Sequence, residues 1–228
     1  MTAEHSPDDF AGETLAQIAS EVSVCTRCIL HKSRNKAVPG EGPTHAEIML
    51  IGEGPGFNEN EQGRPFVGAA GKFLEELLAQ ADLKRSDVWI TNVVKCRPPG
   101  NRDPQQDELD ACDIYLQRQI KTIDPKIIIT LGRFSMGKFM TGAKITQVHG
   151  QMRKVGERFV IPMFHPAAAL HQAALKPSIL ADFGKLPQLL EVARKELAKQ
   201  APAKETEPKK NEVEDKSKNE PPKQMKLF

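Results

Sequence analysis

The chain has 228 residues, of which 39% are hydrophobic, and a formal net charge of +2. That length and apolar share allow one sizeable core with appendages, and the near-neutral balance excludes a globally basic binder of polyanions, so Lys and Arg must be read by location. No run approaches the length needed to cross a bilayer, and MTAEHSPDDFAGE lacks a basic start followed by an apolar stretch; the protein is expected to be soluble and cytoplasmic.

In chain order, residues 1–12 are expected to be a flexible N-terminus and residues 13–200 one domain. Between Val22 and Gly40 there is no acidic residue, while Arg27, Lys32, Arg34 and Lys36 fall around Cys25 and Cys28. AEIMLIG (46–52), DVWITNVV (87–94), KIIITLG (126–132) and RFVIPMF (158–164) are short β-branched runs bounded by turn residues, which predicts buried strands. Helical spacing of apolar residues predicts a helix over 68–83. A second is expected over 103–120, opened by Pro104 with Asp103 as its N-cap, and a shorter one over 132–140. A last helix is expected over 178–200, kinked or restarted at Pro187. Alternation of strand and helix implies an α/β fold with a mostly parallel central sheet and helices on both faces, whose ligands collect beyond the carboxyl ends of the strands. Residues 201–223 are Lys, Glu, Pro and Asn with almost nothing apolar, a composition expected to be a disordered charged linker. QMKLF (224–228) then restores apolar residues.

The four cysteines are Cys25, Cys28, Cys96 and Cys112, one tight C-x2-C pair followed by two scattered positions. In a reducing compartment such a set reads as ligands or buried thiols rather than disulfides. Soft thiolates suit a tetrahedral zinc or an iron-sulphur cluster; a cluster is larger than a bare ion and tolerates scattered ligands, so a 4Fe-4S cluster is the preferred reading. Lys95, Arg97 and Arg102 flank the third cysteine, so a cluster would tie two basic loops into a surface suited to a phosphate backbone.

GEGPGFNENEQGRPFVG (52–68) is rich in glycine yet fits no phosphate motif. Phe57 stands where the third glycine of G-x-G-x-x-G belongs, GAAGKF lacks the elements of a P-loop, and Glu53, Glu59 and Glu61 would repel phosphate. A loop that lets backbone amides approach something flat and uncharged, with carboxylates at hand, suits a nucleobase.

GEGPGFNENEQGRPFVGAAG, TNVVKCRPPGNRDP and HPAAAL, together with the cysteine spacing, resemble the family 4 uracil-DNA glycosylases, bacterial and archaeal enzymes that carry an iron-sulphur cluster. The resemblance runs from about Cys25 to about Leu190, and GEGPG separates the chain from the related family 5, whose first motif is GLAPA-like. It implies a uracil-DNA glycosylase-like three-layer sandwich and an enzyme that flips uracil out of single- or double-stranded DNA, hydrolyses its N-glycosidic bond and leaves an abasic site, initiating base excision repair.

By that resemblance, His165 donates to uracil O2 and steadies the departing anion, and Asn92 reads the N3-H and O4 edge, a pairing that cytosine cannot satisfy. Phe66 stacks on the base, and Glu59 shapes the pocket near C5 against the thymine methyl. Gly52, Gly54 and Glu53 form the edge where water and sugar meet, with Glu53 and Asn101 as the candidates to orient the water. Leu170 matches the residue that wedges into the duplex. Arg97, Asn101 and Arg102 are the expected DNA contacts, and Cys25, Cys28, Cys96 and Cys112 the cluster ligands. His31, His45, His149 and His171 have no comparable setting.

QMKLF resembles the Q-L-x-L-F peptide that binds the bacterial sliding clamp, with Gln224, Leu227 and Phe228 as its anchors on a tether. A monomer is expected. The competing class is a non-catalytic iron-sulphur or zinc DNA-binding module, which would bind DNA without releasing a base.

Overall fold

The computed structural model describes residues 12–200. Five strands form one sheet: β1 (Ile48–Gly52), β2 (Val88–Asn92), β3 (Ile127–Leu131), β4 (Arg153–Val155) and β5 (Arg158–Met163), in the order β2-β1-β3-β5-β4. All neighbours are parallel except β4, which runs antiparallel to β5 at the edge. The helices are α1 (Leu15–Val24), α2 (Phe57–Gln62), α3 (Ala69–Gln80), α4 (Gln106–Ile123), α5 (Arg133–Gly137), α6 (Ile145–Val148), α7 (Pro166–His171) and α8 (Lys176–Gln200). The expected linker 201–223 and terminal peptide 224–228 lie outside the described residues, as do residues 1–11.

Alternation along the strands assigns each side chain to one of two cores. Ile48, Leu50, Ile90, Ile129 and Ile161 pack with α3 and α8 residues such as Leu74, Leu77, Phe183 and Leu190. Met49, Ile51, Trp89, Ile128 and Val160 face the other way, against Ile18 and Val22 of α1 and Leu116 and Ile120 of α4. Both faces of the sheet are therefore covered, which is why its strands are continuous apolar runs rather than alternating ones. The expected mostly parallel α/β sandwich is what the chain forms.

Two local expectations are corrected. Asp103 does not cap the helix that follows. α4 begins later, with Gln105 as N-cap in a capping box whose Glu108 carboxylate accepts from the Gln105 backbone N-H at 2.8 Å, while Asp103 pairs with Arg133. Pro187 does not restart a helix: α8 runs through it as one element. The buried stripe Phe183, Leu186, Leu190 and Ala193 continues across it, so packing against the sheet offsets the lost backbone bond. Among the described residues, no helix is long and apolar enough to cross a membrane.

Candidate active site

The carboxyl ends of β1, β2 and β5 open onto one cavity of about 270 Å3, whose walls include Glu53, Gly54, Glu59, Phe66, Asn92 and His165. Each strand delivers one chemically distinct group, as expected for a parallel sheet.

Asn92 closes β2 opposite Gly52 of β1. It is 1% exposed, and its Oδ1 has no hydrogen-bond partner. A buried acceptor left alone costs about 1–3 kcal/mol, so this oxygen is poised for a donor brought by a ligand. The residue is fixed from behind. Lys95, fully buried, donates from Nζ to the Asn92 carbonyl (2.9 Å), Thr91 Oγ1 (2.6 Å) and Gln119 Oε1 (2.7 Å). Burial pushes the Lys95 ammonium down to about 8, and its three acceptors use all of its donor capacity.

His165 follows β5 and caps α7. Its Nδ1 accepts the Ala167 backbone N-H at 3.1 Å. That bond requires an unprotonated Nδ1 and leaves Nε2 to carry the ring's single proton. Desolvation pushes the imidazole down to about 4, with the nearby Glu59 charge opposing the shift. His165 is therefore a neutral donor at physiological pH.

Phe66 sits with φ at +51°, a region that non-glycine residues seldom occupy. Three neighbours hold it there. Arg85 donates to the Pro65 and Phe66 carbonyls, the latter at 3.0 Å. Glu59 Oε1 accepts the next two backbone N-H groups, of Val67 and Gly68, each at 2.8 Å. Gly71 must lack a side chain, because a Cβ there would meet the Phe66 carbonyl oxygen at 1.9 Å. The ring thus held packs against the His165 imidazole, with centroids 5.5 Å apart and planes 27° from parallel.

Glu53, just past β1, makes no side-chain hydrogen bond among the described residues. Burial raises its carboxyl pKa, Asp103 adds to the rise, and Arg133 opposes it. Asn101, the other candidate to orient water, also lines the cavity, but its Oδ1 accepts from Arg97 Nε at 2.7 Å. Arg102 reaches the cavity with its guanidinium forked onto Glu108, at 2.6 and 2.9 Å, so its charge is balanced within the protein. Leu170 stands 53% exposed on α7.

Arg85 carries no signal in the sequence, Lys95 only that of a cation flanking Cys96, and His171, which has no distinctive sequence setting, lines the cavity. An amphipathic capping box marks residues supporting α1, but no local pattern marks a lone arginine whose partners are distant carbonyls.

Cys25, Cys28, Cys96 and Cys112 line a single second pocket beside Arg34, His31 and Tyr115. N-H groups approach three of the sulphurs: Arg27 N to Cys25 (3.5 Å), Arg34 Nη1 to Cys96 (3.4 Å) and Lys95 N to Cys112 (3.3 Å). Desolvation raises the Cys28 and Cys96 thiols and pushes Cys112 up to about 12. Buried thiols of that kind are poor nucleophiles and ionise when a metal supplies the charge. Among the described residues, no three Cys, His, Asp or Glu side chains meet closely enough to hold a single metal ion. Four thiols lining one pocket, with two backbone amides and one guanidinium aimed at sulphur, are a donor set suited by its chemistry to a thiolate-bound iron-sulphur group.

The profile of the Uracil DNA glycosylase superfamily matches residues 39–186. The chain is 49% identical over 189 residues to the type-4 uracil-DNA glycosylase of Sulfurisphaera tokodaii, covering 78% of this chain and 85% of that protein. It is 44% identical over 182 residues to the type-4 enzyme of Thermotoga maritima, covering 77% and 95%. The type-5 uracil-DNA glycosylase of Thermus thermophilus is more distant, at 34% over 116 residues, covering 44% and 52%. The matched span holds the cavity's polar groups and all three of its strand ends, and by that match this chain belongs to the uracil DNA glycosylase superfamily.

Proposed function

We infer that the protein is a uracil-DNA glycosylase that takes deoxyuridine out of the stack in single- or double-stranded DNA, hydrolyses its N-glycosidic bond and so begins base excision repair. The observation that carries this reading is the buried, partnerless Oδ1 of Asn92 beside a neutral His165. Uracil N3-H supplies the missing donor and the Asn92 amide donates to O4, whereas cytosine presents an acceptor at N3 and a donor at C4. His165 Nε2-H donates to O2, where negative charge grows as the C1′-N1 bond breaks and its electrons pass to the base. A neutral donor suits this task, since it strengthens its hydrogen bond as the anion forms without first binding a carboxylate from the protein.

The attacking water places its oxygen on C1′ and yields a proton to Glu53, whose carboxylate can take it up, whereas the Asn101 amide, its Oδ1 already accepting from Arg97, can at most orient the water. Glu59, anchored on two amides, forms the wall near C5 that leaves no room for a thymine methyl. Leu170 occupies the gap left by the extruded nucleotide in duplex DNA, and Arg97, with the Arg102 loop, faces the phosphates.

Cys25, Cys28, Cys96 and Cys112 hold a 4Fe-4S cluster in this reading. When bound, it supplies a structural cross-link between the basic loops rather than any step of hydrolysis. Residues 224–228, with Gln224, Leu227 and Phe228 as anchors, bind a sliding clamp; deleting them abolishes co-elution with the clamp and leaves excision from free oligonucleotides intact. The enzyme works as a monomer in the cytoplasm, at the nucleoid.

Uracil release from oligonucleotides by the intact protein and by Asn92→Ala and His165→Ala tests the assignment. Both variants are expected to lose on the order of a hundredfold or more in kcat/KM; near-normal excision by both would falsify it.

A further inference from the structure

Phe57 opens α2 immediately after Gly56, a residue of the cavity wall, yet it is 59% exposed. Among the described residues it is the one aromatic side chain with the exposure of Leu170, Val24, Ile29 and Val192, the other large apolar residues left in solvent. It is also held in place. The Arg97 guanidinium lies over its ring, 5.4 Å from the centroid, and Arg97 is itself oriented by Nε donating to Asn101 Oδ1 at 2.7 Å. Asn101 lines the cavity. A chain of contacts from the cavity wall to Asn101, Arg97 and Phe57 thus joins the loop after β1 to the loop after β2 and fixes a flat apolar face at the mouth. A phenyl ring kept in water forgoes the gain of burial, and the ring contact that Phe57 makes is with the Arg97 guanidinium.

We propose that Phe57, backed by Arg97, is a stacking platform for the nucleobase adjacent to the extruded uridine. The ring offers a π-face to whichever base lies there, and the guanidinium behind it meets the intervening phosphate, a combination that grips single-stranded nucleic acid without reading sequence. Extruding a base leaves its neighbour unstacked on one side; the platform restores that stack. In duplex DNA the complementary strand already holds the neighbour in place, so the gain falls mainly on single strands. This rests on reading the cavity as the uracil site.

The test uses the full-length protein with Phe57→Ala, Phe57→Leu and Phe57→Trp. Each is assayed for uracil release and for binding by fluorescence anisotropy on single strands carrying one deoxyuridine. Three strands are compared: normal flanking bases, a baseless linker on the 5′ side, and a baseless linker on the 3′ side. Phe57→Ala and Phe57→Leu raise KM and Kd about tenfold on the normal strand, and Phe57→Trp does not. Removing the base on one of the two sides costs the parent protein the same factor and costs Phe57→Ala nothing further. The platform is overturned if Phe57→Leu behaves as the parent does, since the residue then only covers apolar surface, or if Phe57→Ala weakens binding by the same factor on all three strands. A parent protein that binds with this pattern but releases no uracil would overturn the enzymatic reading and leave the platform standing.

Discussion

Gly52 and Asn92 face each other in register at the ends of β1 and β2, and a Cβ on Gly52 would lie 2.4 Å from Asn92 Oδ1. The same atom would lie 2.7 Å from Cζ of the Phe66 ring. The glycine is therefore what lets the Asn92 amide and the Phe66 ring share one corner of the cavity.

Gly52→Ala must displace two buried side chains whose backbones are fixed, Asn92 through Lys95 and Phe66 through Arg85. Overpacking of this kind costs about 1–3 kcal/mol in stability. The larger effect is on function: kcat/KM for uracil release is expected to fall at least about a hundredfold, because misplacement by about 1 Å carries that penalty. A thermal melt alongside steady-state kinetics separates the two.

Arg85 and Arg64 both pair with Glu41, which makes them a matched test of what holds Phe66. Arg64 is 58% exposed on its side chain and touches only the carboxylate, whereas Arg85 is 19% exposed and also binds the Pro65 and Phe66 carbonyls. Arg64→Ala is expected to cost under about 0.5 kcal/mol. Arg85→Ala removes the charged hydrogen bonds to two carbonyls that hold the left-handed Phe66, and should lower stability by about 1.5–3 kcal/mol, less whatever strain is relieved, and raise KM. Denaturant unfolding of the two variants gives the comparison; equal losses would show that Arg85 acts through the ion pair alone.

The pH profile distinguishes a neutral His165 from a charged one. Its pKa is depressed from an ordinary 6.5 to about 4, so the folded protein takes up this proton later than the unfolded chain does. The sign follows: above about pH 6.5 the group contributes nothing to the pH dependence of stability, and from there down toward about 4 it progressively favours unfolding. Glu53 is raised above 4.5, so its protonation comes first in the functional profile. The rate is expected to fall on the acid side as Glu53 is protonated, with no loss of rate as the pH rises past the ordinary histidine value. In Glu53→Gln that acid limb disappears, at a much lower rate. A rate that instead falls as the pH rises through about 6.5 would mean that His165 acts as an imidazolium.

Replacing Cys112 by serine removes one of four thiols from the second pocket and a sulphur that accepts the Lys95 amide. The visible absorbance near roughly 400 nm expected of a cluster should be lost or reduced. The melting temperature should fall as well, because the pocket joins the loop around Cys25 and Cys28 to α4. Absorbance that survives unchanged would exclude Cys112 as a ligand.

Leu170→Ala is expected to reduce excision from duplex DNA more than from single strands, since only the duplex has a vacated stack to fill. The ratio of the two rates is the measurement, and an unchanged ratio would remove Leu170 from that role.

Much of this was legible in the sequence because of how the sheet is covered. Ile48–Gly52, Ile127–Leu131 and the other central strands are buried on both faces, so they read as unbroken apolar runs. β4 escaped notice because Arg153, Lys154 and Val155 form a short polar edge strand. α2 was hidden inside the glycine-rich loop, a six-residue helix with no side-chain cap. Leu15, Ile18 and Val22 do repeat at helical spacing behind Thr14, so α1 left a signal that was passed over. In the cavity, Asn92 and His165 stood out because one ends a strand and the other follows one. Arg85 and Lys95 did not: Arg85 works on the Pro65 and Phe66 backbone carbonyls and Lys95 on the Asn92 carbonyl and on Gln119, a residue distant in sequence, and no local pattern of side chains reveals either set.

His165 contributes its ring nitrogen to the first turn of α7. Folding that turn and choosing the tautomer are consequently one event, and the imidazole is committed before any DNA arrives. A chain that mis-starts this short helix would present the wrong nitrogen to its substrate while otherwise looking native, so the enzyme's chemical competence is proofread by a backbone amide.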